Sequence, residues 1–211
     1  ILFAEVEVLR GERPAAIDRL QKAVSAGATN PIVVRRLVAL LYQAGRLEEA
    51  QKAMAMLGES GVQGLERISA EVAFREGRID EAVKLAEQSV SKETQRPEDL
   101  LWLGQMLARA DKKERAAEVL AQATELAPND PEVWLALFTH RVSAQLPEAE
   151  EALQKAAALI PEPRKQLSLA QGYEMLARDA DAERALREAL ASFPENIEAL
   201  RALASYEIRK G

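Results

Sequence analysis

Apolar side chains recur along this chain at helical spacing in short bursts, and the bursts themselves return every 32 to 34 residues. One unit opens at Pro97, with Leu100, Leu101, Trp102, Leu103 and Gly104, and continues through Ala116, Leu120, Ala123 and Leu126 to Pro128. Asn30-Pro31 through Gly45 to Ala50 follows the same plan, and so does Arg164 to Pro194, with Leu169, Ala170, Tyr173, Ala182, Leu186 and Ala189 at matching offsets. A period of this length, with polar positions closing each burst, predicts two amphipathic helices per unit in a tandem helical repeat.

Glycine and proline punctuate the period. Gly11, Gly45 and Gly77 fall between the two helices of their units, where a left-handed residue ends the first helix without a Cβ clash. Asp111 and Ala177 hold the equivalent places, so those turns are expected to be made differently or at some cost. Pro14 and Pro147 stand at the predicted starts of second helices and the other seven prolines at joints between units, so none interrupts a helix. Small residues recur as regularly. Ala50, Ala82, Ala116, Ala149 and Ala182 come once per unit near the start of the second helix, where a short side chain lets paired axes approach to about 8–10 Å. Gly104 and Ala170 do the same from first helices.

Pro131-Glu132-Val133-Trp134-Leu135-Ala136-Leu137, followed by Ala149, Leu153, Ala156, Leu159 and Pro161, is another copy, one residue short in its internal turn. Together these residues resemble the tetratricopeptide repeat: a bulky residue, then Leu and a small residue, later Ala, Leu or an aromatic, Ala again and a closing Pro. The resemblance covers essentially the whole chain. It implies an all-α fold, a right-handed superhelical solenoid of antiparallel helix pairs, as one domain over 1–211. The repeats would run 1–30 (truncated), 31–62, 63–96, 97–130, 131–162 and 163–196, with a half repeat at 197–211.

Composition narrows the picture a little. The chain is 48% hydrophobic yet has only four Phe, two Trp and three Tyr, which suits a core of Ala and Leu between closely packed helices. Absence of cysteine removes disulfides, thiolate nucleophiles and cysteine metal sites, and suits either the cytoplasm or a periplasm. No apolar run approaches the ~18 residues of a membrane span, and Ile1–Val8 lacks the basic leader of a signal peptide. In register, Ile1 falls inside a first helix and 197–210 forms a first helix without a second, so the chain reads as a piece excised from a longer protein.

Catalytic chemistry finds no footing. The lone His140 sits on a predicted first helix among Val, Leu and Phe with no nucleophile or base beside it, and reads as a packing or surface residue. Gly58-Glu59-Ser60-Gly61 is one residue short of a nucleophile elbow and lies at a joint. No phosphate-cradling Gly-rich loop, His-Glu-x-x-His or calcium loop occurs. Asp179 and Asp181 read as turn acids or helix caps. The expectation is a non-enzyme, with no catalytic, cofactor or metal residues.

What the resemblance implies instead is a surface. In tetratricopeptide arrays the first helices line a concave groove that takes a peptide or helix of a partner protein. Carried over, the groove residues are Arg35, Tyr42, Arg67, Glu71, Phe74, Arg75, Leu101, Gln105 and Arg109, with Ala39 among them and a more apolar continuation at Leu135, Thr139, Val142, Leu167 and Gln171. Residues 1–96 carry 14 basic and 14 acidic side chains, and 97–211 carry 14 and 20, so the N-terminal half offers Arg beside aromatic rings for a carboxylate-rich segment. The two-carboxylate clamp that holds chaperone tails is absent: Ala39 and Ile68 stand where its Asn residues belong, and Glu98 and Trp102 where its last basic pair belongs. A net charge of −6 with no basic stripe argues against nucleic acid. The first reading is a non-catalytic interaction scaffold that helps assemble a complex. A regulatory or targeting arm of a larger enzyme, or of a secretion or exopolysaccharide machine, is the alternative. Self-association is the third, because Phe3, Val6, Leu200 and Leu203 are expected to leave the two ends apolar and uncapped.

Overall fold

The computed structural model describes residues 2–28, 30–57, 64–91 and 93–210, and among these every regular element is an α-helix. Gly58-Glu59-Ser60-Gly61 lies outside the described residues. The chain divides into two compact units, 1–91 and 92–211.

The first unit contains α1 (Leu2–Leu9), α2 (Arg13–Ser25), α3 (Pro31–Gln43), α4 (Leu47–Met54), α5 (Glu66–Arg75) and α6 (Ile79–Ser89). Its core joins Ala16, Ile17 and Leu20 of α2 to Val34, Leu37, Val38 and Leu41 of α3, and closes on Ala50 and Ile68. The second unit contains α7 (Pro97–Arg109), α8 (Lys113–Leu126), α9 (Pro131–Ser143), α10 (Ala149–Leu159), α11 (Arg164–Met175), α12 (Asp179–Ser192) and α13 (Ile197–Lys210), each packed on the next. Its core runs from Leu120 through Leu137, Phe138 and Leu153 to Leu186 and Tyr206.

One turn closes six first helices, and recurs after α2 at Gly27. After each first helix a residue with positive φ is followed by an amide that donates back five residues: Glu12 to Glu7, Arg46 to Leu41, Arg78 to Ala73, Lys112 to Leu107, Leu146 to Arg141 and Arg178 to Tyr173, all at 2.8–2.9 Å. This bond, with a left-handed residue at its bend, satisfies the orphan carbonyls of the helix end. Gly11, Gly45 and Gly77 supply the bend, but so do Asp111, Gln145 and Ala177, at φ of 56–57°. The turns without glycine are therefore the same turns, with the Cβ strain accepted. Ala177→Gly is expected to stabilise the chain by about 0.5–1 kcal/mol, the relieved left-handed strain less the entropy glycine adds to the unfolded state. A urea midpoint unchanged or lowered would refute it.

Pro147 lies two residues ahead of α10 rather than at its first turn, because Glu148 bends at φ 62° and its carbonyl accepts a bond from Arg141 Nη1 at 3.1 Å. Pro31, Pro97 and Pro131 do occupy first turns, and beside two of them Asn30 and Asp130 cap the helix by accepting from Ile32 N and Glu132 N at 2.9 Å.

Three second helices, α4, α6 and α12, start with a charge pair instead of a side-chain cap. Arg46 meets Glu49 at 2.6 Å, Arg78 pairs with Glu81, and Arg178 with Asp181 at 2.6 Å. Hydrogen bonds from Arg46, then from Gln21, hold the Glu49 carboxyl below its usual 4.5. A carboxyl whose pKa is lower folded than unfolded adds stability above the unfolded value and loses it as pH falls. The parent is thus expected to exceed Glu49→Gln in stability at neutral pH and to lose that margin below about pH 4.5. Urea titrations followed by circular dichroism across pH 7 to 3 would show it, and a constant margin would count against the pair.

Candidate functional site

Three hollows of the surface are lined in part by residues of first helices, while two others lie on α12 and between α1 and α2. In the first unit, a hollow of about 380 Å3 brings Ala39 and Tyr42 of α3 to Arg67 and Ile68 of α5. Arg35, half-buried, lies beside it against Gly64, whose Cβ, if it had one, would be 3.1 Å from Arg35 Nη2. Glu71 and Phe74 are half-buried on the next turn of α5, outside the hollow. Arg75 is exposed and pairs at 3.9 Å with Glu48 of α4.

In the second unit, Gln105 and Arg109 of α7 face Leu135 and Thr139 of α9 across a hollow of about 550 Å3. Leu101 is half-buried against the core and does not line it. Leu167 and Gln171 of α11 line a further hollow of about 410 Å3 with Pro131, Arg164 and Glu198. Where the chaperone-tail clamp would need amide side chains, Ala39 and Ile68 bring only apolar groups to the hollow of the first unit.

The lone histidine is structural at one nitrogen. His140 is 7% exposed, and its Nε2–H donates to the carbonyl of Lys113 at 2.8 Å. Its place, nine residues past Pro131, is held by Leu40, Met106 and Tyr206 in other repeats, all buried. Tyr206 makes the matching bond, its hydroxyl donating to the carbonyl of Asp179 at 2.8 Å. Reading the sequence misses that shared bond, although the common offset is visible in it. Asp181 is bridged by Arg178 and Arg184, and Arg178 also lies over the Tyr173 ring, 4.8 Å from its centre. Among the described residues no three His, Cys, Asp or Glu side chains gather as metal ligands would. No described helix is long and apolar enough to cross a membrane.

The apolar ends differ from expectation in one residue. Phe3, Val6 and Leu200 are exposed, at 74%, 42% and 47%, but Leu203 is partly buried because α13 turns it onto the core of the second unit. The Phe3 ring carries the Arg19 guanidinium 5.6 Å from its centre.

Comparison with known proteins agrees with this architecture. A tetratricopeptide-repeat family model matches residues 8–70, and the model for anaphase-promoting complex, cyclosome, subunit 3 matches residues 75–156. No curated protein sequence matches the chain. Among solved structures, PilW, a widely conserved type IV pilus biogenesis factor, aligns with a TM-score of 0.67 at 15% identity over 96% of each chain. The pilF protein of Pseudomonas aeruginosa aligns at 0.58 and 16% identity, over 97% of this chain and 95% of its own. YrrB, a TPR protein with an unusual peptide-binding site, aligns at 0.53 and 20% identity over 87% of this chain and 96% of its own. Identities this low speak for the fold alone, and that fold, with the family model over residues 8–70, makes the chain an all-α helical-repeat solenoid of the tetratricopeptide type.

Proposed function

We propose that the chain is a non-catalytic scaffold that holds a peptide or helix of a partner protein along its first helices and so helps assemble a complex. Proteins of this family bind protein or peptide partners and are generally not catalysts. The observation that supports the reading is a hollow between successive first helices in each unit, lined at matching offsets by Ala39, Tyr42 and Arg67 in the first and by Gln105, Ala108 and Leu135 in the second. In the first unit Arg35 and Arg67 beside Tyr42 favour a carboxylate-bearing segment, since guanidinium groups and aromatic faces suit carboxylates and planar groups. Arg75 shares its charge with Glu48.

Site-specific photo-crosslinking tests the surface. A benzophenone side chain placed at Arg67 or Gln105 is expected to capture one and the same partner from extracts of the source cells. One placed at Lys84 or Glu188, on second helices, is expected to capture none. Equal capture from both sets moves the binding surface off the first helices, and no specific capture from any position overturns the scaffold reading.

A further inference from the structure

The hollow between α7 and α9 has apolar walls, exposed polar side chains at Gln105, Arg109, Thr139 and Ser143, and one buried polar side chain. Gly104, Ala108 and Ala136 are too small to fill the space between the two helices, and Leu120 and Leu135 wall it. Gly104 is fixed by packing, because a Cβ there would lie 2.6 Å from Leu120 Cγ.

His140 also lines this hollow. A carbonyl oxygen only accepts, so the bond to Lys113 places the proton on Nε2 and leaves the neutral ring with a lone pair on Nδ1. Nδ1 has no protein partner among the described residues. Nor is it sealed away: the side-chain polar atom found buried without a partner among them is Arg36 Nε, so Nδ1 is not fully buried, and the residue that carries it lines the hollow. At the equivalent position Leu40 and Met106 bring no acceptor, and the Tyr206 hydroxyl is already engaged with Asp179. An unused acceptor in an apolar recess calls for a donor, since a polar atom that loses water there must be paired.

We propose that this hollow is an anchor pocket for a tyrosine side chain of a partner peptide. Its ring packs on Leu120, Leu135 and Ala136, and its hydroxyl, the donor at the tip, reaches Nδ1 of His140. Phenylalanine offers the ring without the donor. The inference rests on the peptide-binding reading and gives that surface a residue preference.

The test uses the whole chain, labelled with 15N, and three probes that differ only at the para position of one ring: p-cresol, toluene and 4-methylanisole. Binding is read from the amides of Gly104 and Thr139 and from the His140 ring nitrogens. p-Cresol is expected to bind about three- to tenfold more tightly than the other two, the worth of one net hydrogen bond, and to move the Nδ1 resonance. His140→Phe is expected to abolish that preference while toluene still binds. Ala136→Leu, which fills the hollow, is expected to abolish the response to all three and serves as the control if His140→Phe fails to fold. Equal binding of the three probes, no binding within their solubility, or a preference that survives His140→Phe overturns the proposal. Crosslinking at Gln105 that persists in any of those cases would sink the anchor while leaving the scaffold reading standing.

Discussion

Phe138→Ala is expected to destabilise the second unit by about 3–5 kcal/mol, the usual loss when a buried aromatic side chain becomes a methyl group. Phe138 is 2% exposed and ranks first by volume among the fully buried side chains, in the cluster that joins Leu120, Leu153 and Leu186. Stacked helix pairs contact only their neighbours, so a cavity here has no other part of a single large core to relax into. Trp102 and Trp134 both lie in the second unit, so their fluorescence reports on it while circular dichroism reports on the whole chain. With a urea slope of about 2 kcal/mol/M, the tryptophan midpoint is expected to fall by roughly 2 M. Phe193→Ala is the matched control: Phe193 is 39% exposed at the end of α12, and its loss is expected to move the midpoint far less. Similar shifts for the two variants would mean that the core does not pass through Phe138.

Much of this fold is legible because its determinants are local. Proline at first turns, glycine at the bends and alanine at the helix crossings each act within a few residues, and their 32- to 34-residue return lays the helix pairs on one another. What the sequence hides are places where the same geometry is reached with the wrong residue. Asp111, Gln145 and Ala177 adopt the left-handed bend because the paired helices on either side fix it, so tertiary context overrides local preference. Leu203 looks like an end residue but faces the core, since one turn of α13 decides which side chains point inward. The site is less legible than the fold. A helical offset places Tyr42, Arg67, Gln105 and Arg109 at hollows, but whether a neighbouring side chain closes a hollow depends on small residues of the facing helix. Ala108 and Ala136 decide that for the second unit, and neither stands out in the sequence. The unused nitrogen of His140 is further from view, because it follows from where the other nitrogen finds its carbonyl.

Gly172→Ala and Ala182→Leu are each expected to lose about 1–3 kcal/mol through overpacking. The glycine is the more instructive of the two because two effects oppose. Inside a helix, replacing glycine with alanine gains up to about 1 kcal/mol from the backbone alone. A Cβ at Gly172 would lie 2.4 Å from Leu153 Cδ2, 2.5 Å from Cδ1 and 3.0 Å from Cγ. Both methyls and the branch point must move together, and Leu153 is fully buried with no free volume to take them. The clash therefore outweighs the propensity, and the sign of the usual helix rule reverses. Ala182 is fully buried at the start of α12, where an isobutyl group would have to push α11 and α12 apart. A double-mutant cycle isolates the cause. Leu153→Ala removes the atoms that the new Cβ meets, so the combination with Gly172→Ala is expected to cost less than the sum of the single changes, by about 0.5–3 kcal/mol. Simple additivity, or a Gly172→Ala variant as stable as the parent, would place the close approach of α10 and α11 elsewhere.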